Sequence, residues 1–308
     1  MFTANRGRLA LIGAVAVGAV VALAGCASGD PLGSGSSSSA ESSTLVVGSQ
    51  DYYSNEIIAE IYAQALEADG FTVDRQFRIG QREVYLPDIT SGKIDVFPEY
   101  TGDLLQVLDD TATSGTPDAV YSALTKALPS GLQALDRADA SDQNTWTVTK
   151  AFADKYNLTD IASLKNVTEP ITVGGNSELE TRPYGPTALS DKYGIVTAGF
   201  KPVEDGGGPL TVKALEDGDI QLANIYTASP AFDSGNLVAL EDPDGLFFPS
   251  NVVPIVSAKV DDKAAAVLNK VNAALTADTL VALNAQSVND QLAADKIATE
   301  WLKKENLI

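Results

Sequence analysis

From Thr44 onward, apolar residues recur along the chain at two alternating spacings. "STLVVGSQ" is a short apolar run, predicted as a strand, that ends in Gly48-Ser49-Gln50. In "SNEIIAEIYAQALEADG", Ile57, Ile61, Ala65 and Leu66 recur at helical spacing, and Gly70 supplies a stop. "FTVDRQF" alternates as a strand does. A helix is predicted around "VYLPDITSG", and "KIDVFPEY" reads as a strand again. Strand and helix in turn predict an α/β architecture with a mostly parallel sheet.

A shift of 126 residues lays the chain over itself twice. "LVVGSQ" (45–50) falls on "ITVGGN" (171–176), and "ITSGKIDVFPEYT" (89–101) falls on "LEDGDIQLANIYT" (215–227). Gly48 meets Gly174, Gly92 meets Gly218, Ile94 meets Ile220, and Tyr100-Thr101 meets Tyr226-Thr227. Either the chain holds two lobes of like topology, or these are the strand–Gly and Gly-x-Ile patterns that all α/β units share. With two lobes, the strand ends carrying Gly48-Ser49-Gln50, Gly174-Gly175-Asn176 and the two Tyr-Thr pairs would face a common cleft. In open α/β sheets ligands bind at the carboxyl ends of strands. A clamp for a small solute is expected there.

The first residues read as an address, not as fold. Arg6 and Arg8 precede an apolar run from Leu9 to Gly25, about as long as the hydrophobic region of a signal peptide. The run ends in Leu23-Ala24-Gly25-Cys26, and Cys26 is the sole cysteine. This resembles a bacterial lipobox, which implies cleavage before Cys26 and a lipid on its sulfur; a plain membrane anchor is the alternative. Residues 1–25 are therefore expected to be a lipoprotein signal peptide, and the Gly/Ser-rich residues 26–43 a flexible tether. Residues 44–308 suit one large or two medium domains.

Composition narrows the chemistry. The chain has no histidine, and once Cys26 is lipidated it has no free thiol. That removes disulfides, the usual zinc sites and histidine-based catalysis. The net charge of −20 argues against a nucleic-acid partner. No metal or cofactor is expected.

"VVGSQDYYSNEIIAEIYAQALEADGFTV", "SGKIDVFPEYTGDLL" and "SELETRPYGPTALSDKYGI" together resemble the osmoprotectant-binding proteins of ABC importers, which capture glycine betaine, choline and related quaternary amines. The resemblance implies a two-lobe type II periplasmic-binding-protein fold joined by two crossover strands, placed near "NTWTVTK" (144–150) and "FPSNVVPIVSAK" (248–259). Lobe 1 would comprise 44–146 and 250–308, and lobe 2 would comprise 147–249. It also implies an aromatic box around a trimethylammonium group and an arginine for a carboxylate. Tyr100 and Tyr226 match two box tyrosines, and Arg182 matches the arginine; an interlobe ion pair is the alternative for Arg182. Thr227 belongs to the second Tyr-Thr pair.

Other positions depart from the family pattern. Gln50 stands where a lysine is usual, and Gly80-Gln81-Arg82 replaces Gly-Gly-Thr, so that Arg82 brings a charge from another direction. Val212 replaces a tyrosine. Tyr52, Tyr85 and Tyr184 are candidates to rebuild the aromatic wall. Each face lost from a dry site removes about 1–2 kcal/mol, roughly tenfold or more in affinity. The expectation is therefore that betaine and choline bind weakly, and that a bulkier or less cationic compound binds better. "EDGGGP" (204–209) lacks the phosphate-loop lysine and reads as a loop, and "EDPDG" (241–245) as a turn.

The function expected is that of a lipid-anchored solute-binding protein on the extracytoplasmic face of a bacterial membrane. It would work as a monomer and deliver a small osmolyte-like ligand to an ABC permease and its ATPase. A ligand-sensing envelope module and an envelope enzyme on the same scaffold are the alternatives.

Overall fold

The computed structural model describes residues 44–308; the predicted signal peptide, Cys26 and the tether lie outside the described residues. Among the described residues no helix is long and apolar enough to cross a membrane.

The first half builds a five-stranded sheet from β1 (Leu45–Gly48), β2 (Val73–Gln76), β3 (Val96–Tyr100), β4 (Leu132–Ala134) and β10 (Val252–Ser257). The order is β2-β1-β3-β10-β4; β1 runs parallel to β2 and β3, and β10 runs antiparallel to β3 and β4. The second sheet uses β5 (Asn144–Thr149), β6 (Thr172–Gly175), β7 (Gly199–Pro202), β8 (Leu222–Tyr226) and β9 (Leu237–Ala239) in the order β7-β6-β8-β5-β9. Replacing each strand by its counterpart turns one order into the other. In each sheet the single reversed strand is the one that returns from the other half.

The duplication reaches the turns. α2 (Arg82–Thr90) and α7 (Pro209–Glu216) both lead through a left-handed glycine into the next strand, Gly92 at φ +72° and Gly218 at φ +80°. A side chain would be strained at either position.

α1 (Tyr53–Ala68) is more buried than its apolar stripe predicts. Ile58, Tyr62 and Ala63 are as inaccessible as Ile57 and Ile61. The cause is tertiary: the helix lies between the first sheet and the C-terminal helices α8 (Asp262–Ala274), α9 (Ala277–Val288) and α10 (Ala294–Lys304), which send Leu268, Val271, Leu283, Ile297 and Trp301 into the same core. A helix apolar on nearly all sides belongs inside the fold. The second half has its own core around Trp146, Val173, Leu189 and Phe247.

The two passages between halves run side by side. Ala138 N–H donates to Val252 O, Val252 N–H to Ala140 O and Asp142 N–H to Ser250 O, with Ser141 bridged antiparallel to Asn251. The segments expected to cross are themselves sheet strands: Asn144–Thr149 lies wholly in the second sheet and Val252–Ser257 wholly in the first. The expected boundary at residue 146 thus falls inside β5. The crossing chain is the stretch just before each strand.

Candidate functional site

At the end of β3 the chain reads Glu99-Tyr100-Thr101-Gly102 and turns directly into α3 (Thr101–Leu108). A Cβ on Gly102 would come within 2.7 Å of Phe248 O and Pro249 O, so the returning passage packs on bare backbone. Thr101 is buried there, donating through Oγ1 to Pro249 O and accepting from Asn251 N–H. The glycine and the threonine therefore hold the crossing segments, leaving the acid and the tyrosine for the cleft.

A cavity lies between the halves, and its wall takes Tyr52, Tyr100, Arg82 and Gln50 from the first and Tyr184, Tyr226 and Arg182 from the second. It measures about 30 Å³, room for about two water molecules. Tyr52 fills much of the rest. Its ring centre lies 5.3 Å from that of Tyr226 and 6.4 Å from that of Tyr100, and its hydroxyl bonds that of Tyr100. The glycine-rich stretch is a loop over 204–208, with Pro209 opening α7, and it closes this side. Gly206 is at φ +63°, and a Cβ there would stand 2.6 Å from Tyr52 Cβ. Asn55 fixes the floor by donating to Pro98 O and accepting from Gln50 N–H.

The charges are distributed differently from the sequence expectation. Arg82 does not add free positive charge: its Nε and Nη2 each donate to an oxygen of Glu99 at 2.9 Å, and the pair is buried, at 5% and 0% exposure. Burial alone would disfavour the guanidinium charge, but Glu99 outweighs it and holds Arg82 ionised. Tyr85 is not on the cavity wall. It stacks on Phe97, donates to Glu99 at 2.7 Å and accepts from Gln50 Nε2 at 2.9 Å; its part is to position those two residues. Thr227 is also outside the cavity, exposed and accepting from Gln143 N–H, because the chain has already turned out of β8 toward the crossing segment. Val212 does not reach the cavity either. Arg182 both lines the cavity and pairs across the halves, Nη2 to Glu83 Oε2 at 3.0 Å. Its Nη1 is buried with no hydrogen-bond partner among the described residues.

Several wall residues were not singled out in the sequence. Asp103 stands one turn into α3 and accepts through Oδ1 from Asn144 Nδ2 at 2.8 Å. Asp142, on the crossing segment, accepts from Ala228 N–H at 2.9 Å and lies 3.4 Å from the Tyr52 hydroxyl. Burial, opposed by Arg82, pushes the Asp103 carboxyl up to about 6. Burial, opposed by the Ala228 amide, pushes Asp142 up to about 7. Asp103 directly follows Glu99-Tyr100-Thr101-Gly102 in the quoted "SGKIDVFPEYTGDLL", a signal that was present; Asn176, expected at the cleft as the counterpart of Gln50, is on the wall. Asp142 and Asn144 carried none, since their placement depends on where the chain crosses.

Four tyrosine rings and two buried carboxylates around one small cavity suit a compact cation. Comparison with known proteins agrees with this geometry. The family described as the substrate-binding domain of the ABC-type glycine betaine transport system matches residues 43–304. The glycine betaine-binding protein YehZ of Escherichia coli (strain K12) is 26% identical over 277 residues, covering 85% of this chain and 91% of its own. The substrate-binding protein CosB of a chemotactic signal transduction system in Halobacterium salinarum (strain ATCC 29341 / DSM 671 / R1) is 29% identical over 279 residues, covering 82% and 83%. In fold, the chain is similar to a crystal structure of a glycine betaine/carnitine/choline ABC transporter protein, with TM-score 0.68 and 18% identity over 85% of this chain and 99% of that one. Proteins of this family bind solutes for transporters outside the cytoplasm and are not an enzyme family. The chain is a member of the family of substrate-binding domains that serve ABC-type glycine betaine transport, with the two-lobe type II periplasmic-binding-protein fold.

Proposed function

We propose that this chain captures a quaternary-amine osmolyte between its two lobes and presents it to an ABC permease, as a monomer and without chemistry of its own. The observation that carries this reading is the convergence of Tyr52, Tyr100, Tyr184 and Tyr226 with Asp103 and Asp142 on one cavity between the sheets. Each aromatic face offers a cation about 1–2 kcal/mol in a dry site, and the carboxylates supply charge that a trimethylammonium group lacks a hydrogen bond to satisfy but attracts at short range.

Entry requires motion, because the closed cavity is too small for such a ligand. The paired passages at 138–142 and 250–252 are the natural hinge, and the Arg182–Glu83 contact is a latch that opening would break. Ligand would stabilise the closed form by bridging the halves. The expectation of a less cationic ligand is set aside, because Arg82 is neutralised by Glu99 and two carboxylates remain.

Thermal denaturation of the full-length chain with choline and with glycine betaine tests the reading. A rise in melting temperature with at least one of them at millimolar concentration is expected, and no rise with either would overturn it. Lipid attachment at Cys26 is part of the proposal; intact-mass analysis of membrane-extracted protein should show a chain that begins there with added acyl mass.

The similarity to CosB favours a second reading, in which the closed form signals to a receptor. Deleting the protein should abolish uptake of radiolabelled ligand if it feeds a permease. Uptake that persists while a behavioural response is lost would favour the sensor.

A further inference from the structure

Polar groups on the cavity wall that the protein leaves unsatisfied define what the ligand must carry beside its ammonium. Arg82 is matched by Glu99, and Arg182 by Glu83. Asp103 and Asp142 form no ion pair among the described residues. Asp103 is 6% exposed, and only its Oδ1 is engaged by a protein donor, the amide of Asn144. Glu178 Oε2, also on this wall, is buried with no partner. Among the fully buried side-chain atoms of this wall that lack a partner, the donor is Arg182 Nη1.

A carboxylate is a poor match to that set. It can only accept, so it would satisfy Arg182 while meeting Asp103 and Glu178 as like charges. A hydroxyl donates and accepts at one atom, so it can give its proton to Asp103 and take a hydrogen bond from Arg182. Net charge points the same way: a zwitterion brings none to a wall with unpaired carboxylates, whereas a quaternary amine with a hydroxyl brings one positive charge.

We infer that Asp103, held by Asn144, is a specificity-determining residue that selects quaternary amines bearing a hydroxyl and excludes those bearing a carboxylate. The inference rests on the quaternary-amine reading above and decides between its members. A site built to pair with a hydrogen-bond donor rejects an analogue lacking it, because its own buried groups are then left unpaired.

Calorimetry on the detergent-solubilised full-length chain with three probes tests it. Tetramethylammonium carries neither group and sets the baseline. Choline should bind at least tenfold more tightly than glycine betaine, with tetramethylammonium between them. Asp103→Asn keeps the shape and still accepts from Asn144; it should raise betaine affinity and bring the two ligands within about threefold. Betaine binding as tightly as choline, or more weakly than choline by a ratio that Asp103→Asn leaves unchanged, would overturn the role of Asp103 while leaving the quaternary-amine reading intact. Should the variant not fold, the order of the three probes on the unaltered protein decides. Binding of none of them would remove the quaternary-amine reading and this inference with it.

Discussion

Glu99→Gln removes one charge from the most buried ion pair of the site and leaves the other in place. Glu99 is fully inaccessible and accepts four hydrogen bonds: two from Arg82, one from the Tyr85 hydroxyl and one from Tyr100 N–H. Gln keeps the size, but its amide presents N–H to at least one of the four donors. Removing one partner of a buried pair typically costs about 3–5 kcal/mol, roughly 6–15 °C of melting temperature for a chain of this size. The freed Arg82 charge would also reach the ligand. At a separation of about 8 Å and an effective dielectric of about 20, the repulsion is about 2 kcal/mol, roughly thirtyfold in affinity for a cation. Thermal denaturation measures the first effect, and calorimetry with choline the second. The apolar double change Arg82→Met with Glu99→Leu should be less destabilising than Glu99→Gln alone, since no charge is left buried. Glu99→Gln with an unaltered melting temperature and unaltered choline affinity would refute the assignment of Arg82 as a neutralised group.

Three other outcomes follow from the same wall. Tyr226→Ala should weaken choline binding by tenfold or more with a small change in melting temperature, whereas Tyr100→Ala should lower both, because the Tyr100 ring also belongs to the first core; thermal denaturation beside calorimetry separates the two. Glu83→Gln breaks the latch to Arg182 at a half-exposed site, worth up to about 1 kcal/mol, so small-angle scattering of the unliganded protein should report a larger radius and choline should bind a few-fold more weakly. The raised carboxyl of Asp142 binds its proton more tightly in the folded state than in the unfolded one, so its contribution to stability is complete below about pH 4 and is lost as pH rises through about 7; the melting temperature of Asp142→Asn relative to the unaltered protein should climb across that window, and parallel curves would exclude the effect.

The scaffold was largely legible in the chain. Two spacings of apolar residues placed β1, α1, β2, α2 and β3, and the 126-residue shift paired β1 with β6 and β3 with β8 because each pair performs the same task at the same place in its sheet. The near-total burial of α1 was not legible, since it depends on α8, α9 and α10 arriving from the far end of the chain. Arg82 shows the limit for the site. Its place near the site, in the loop before the predicted helix, could be read from the sequence, but whether its charge is free depends on Glu99, which the β1–β3 pairing brings beneath it. Charge neutralisation is a property of pairs, and the apolar pattern does not say which pairs form.

Repetition itself explains why the electrostatics were the harder part. At matched positions the two halves carry the same residue where geometry demands it: glycine at the helix-ending turns, and tyrosine then threonine at the strand end. At other positions in and behind the cavity wall they differ. Glu99 has Ile225 as its counterpart, Asp103 has Ser229, and Gln50 has Asn176. The first half thus brings the Asp103 carboxylate of α3, while the second brings Tyr184, Asn144, Glu178 and the unpaired edge of Arg182. A two-fold wall would present like groups at both ends of the cavity and could not orient a ligand whose ends differ. A quaternary ammonium at one end and a polar group at the other require that asymmetry, and it arises only where the two copies have diverged.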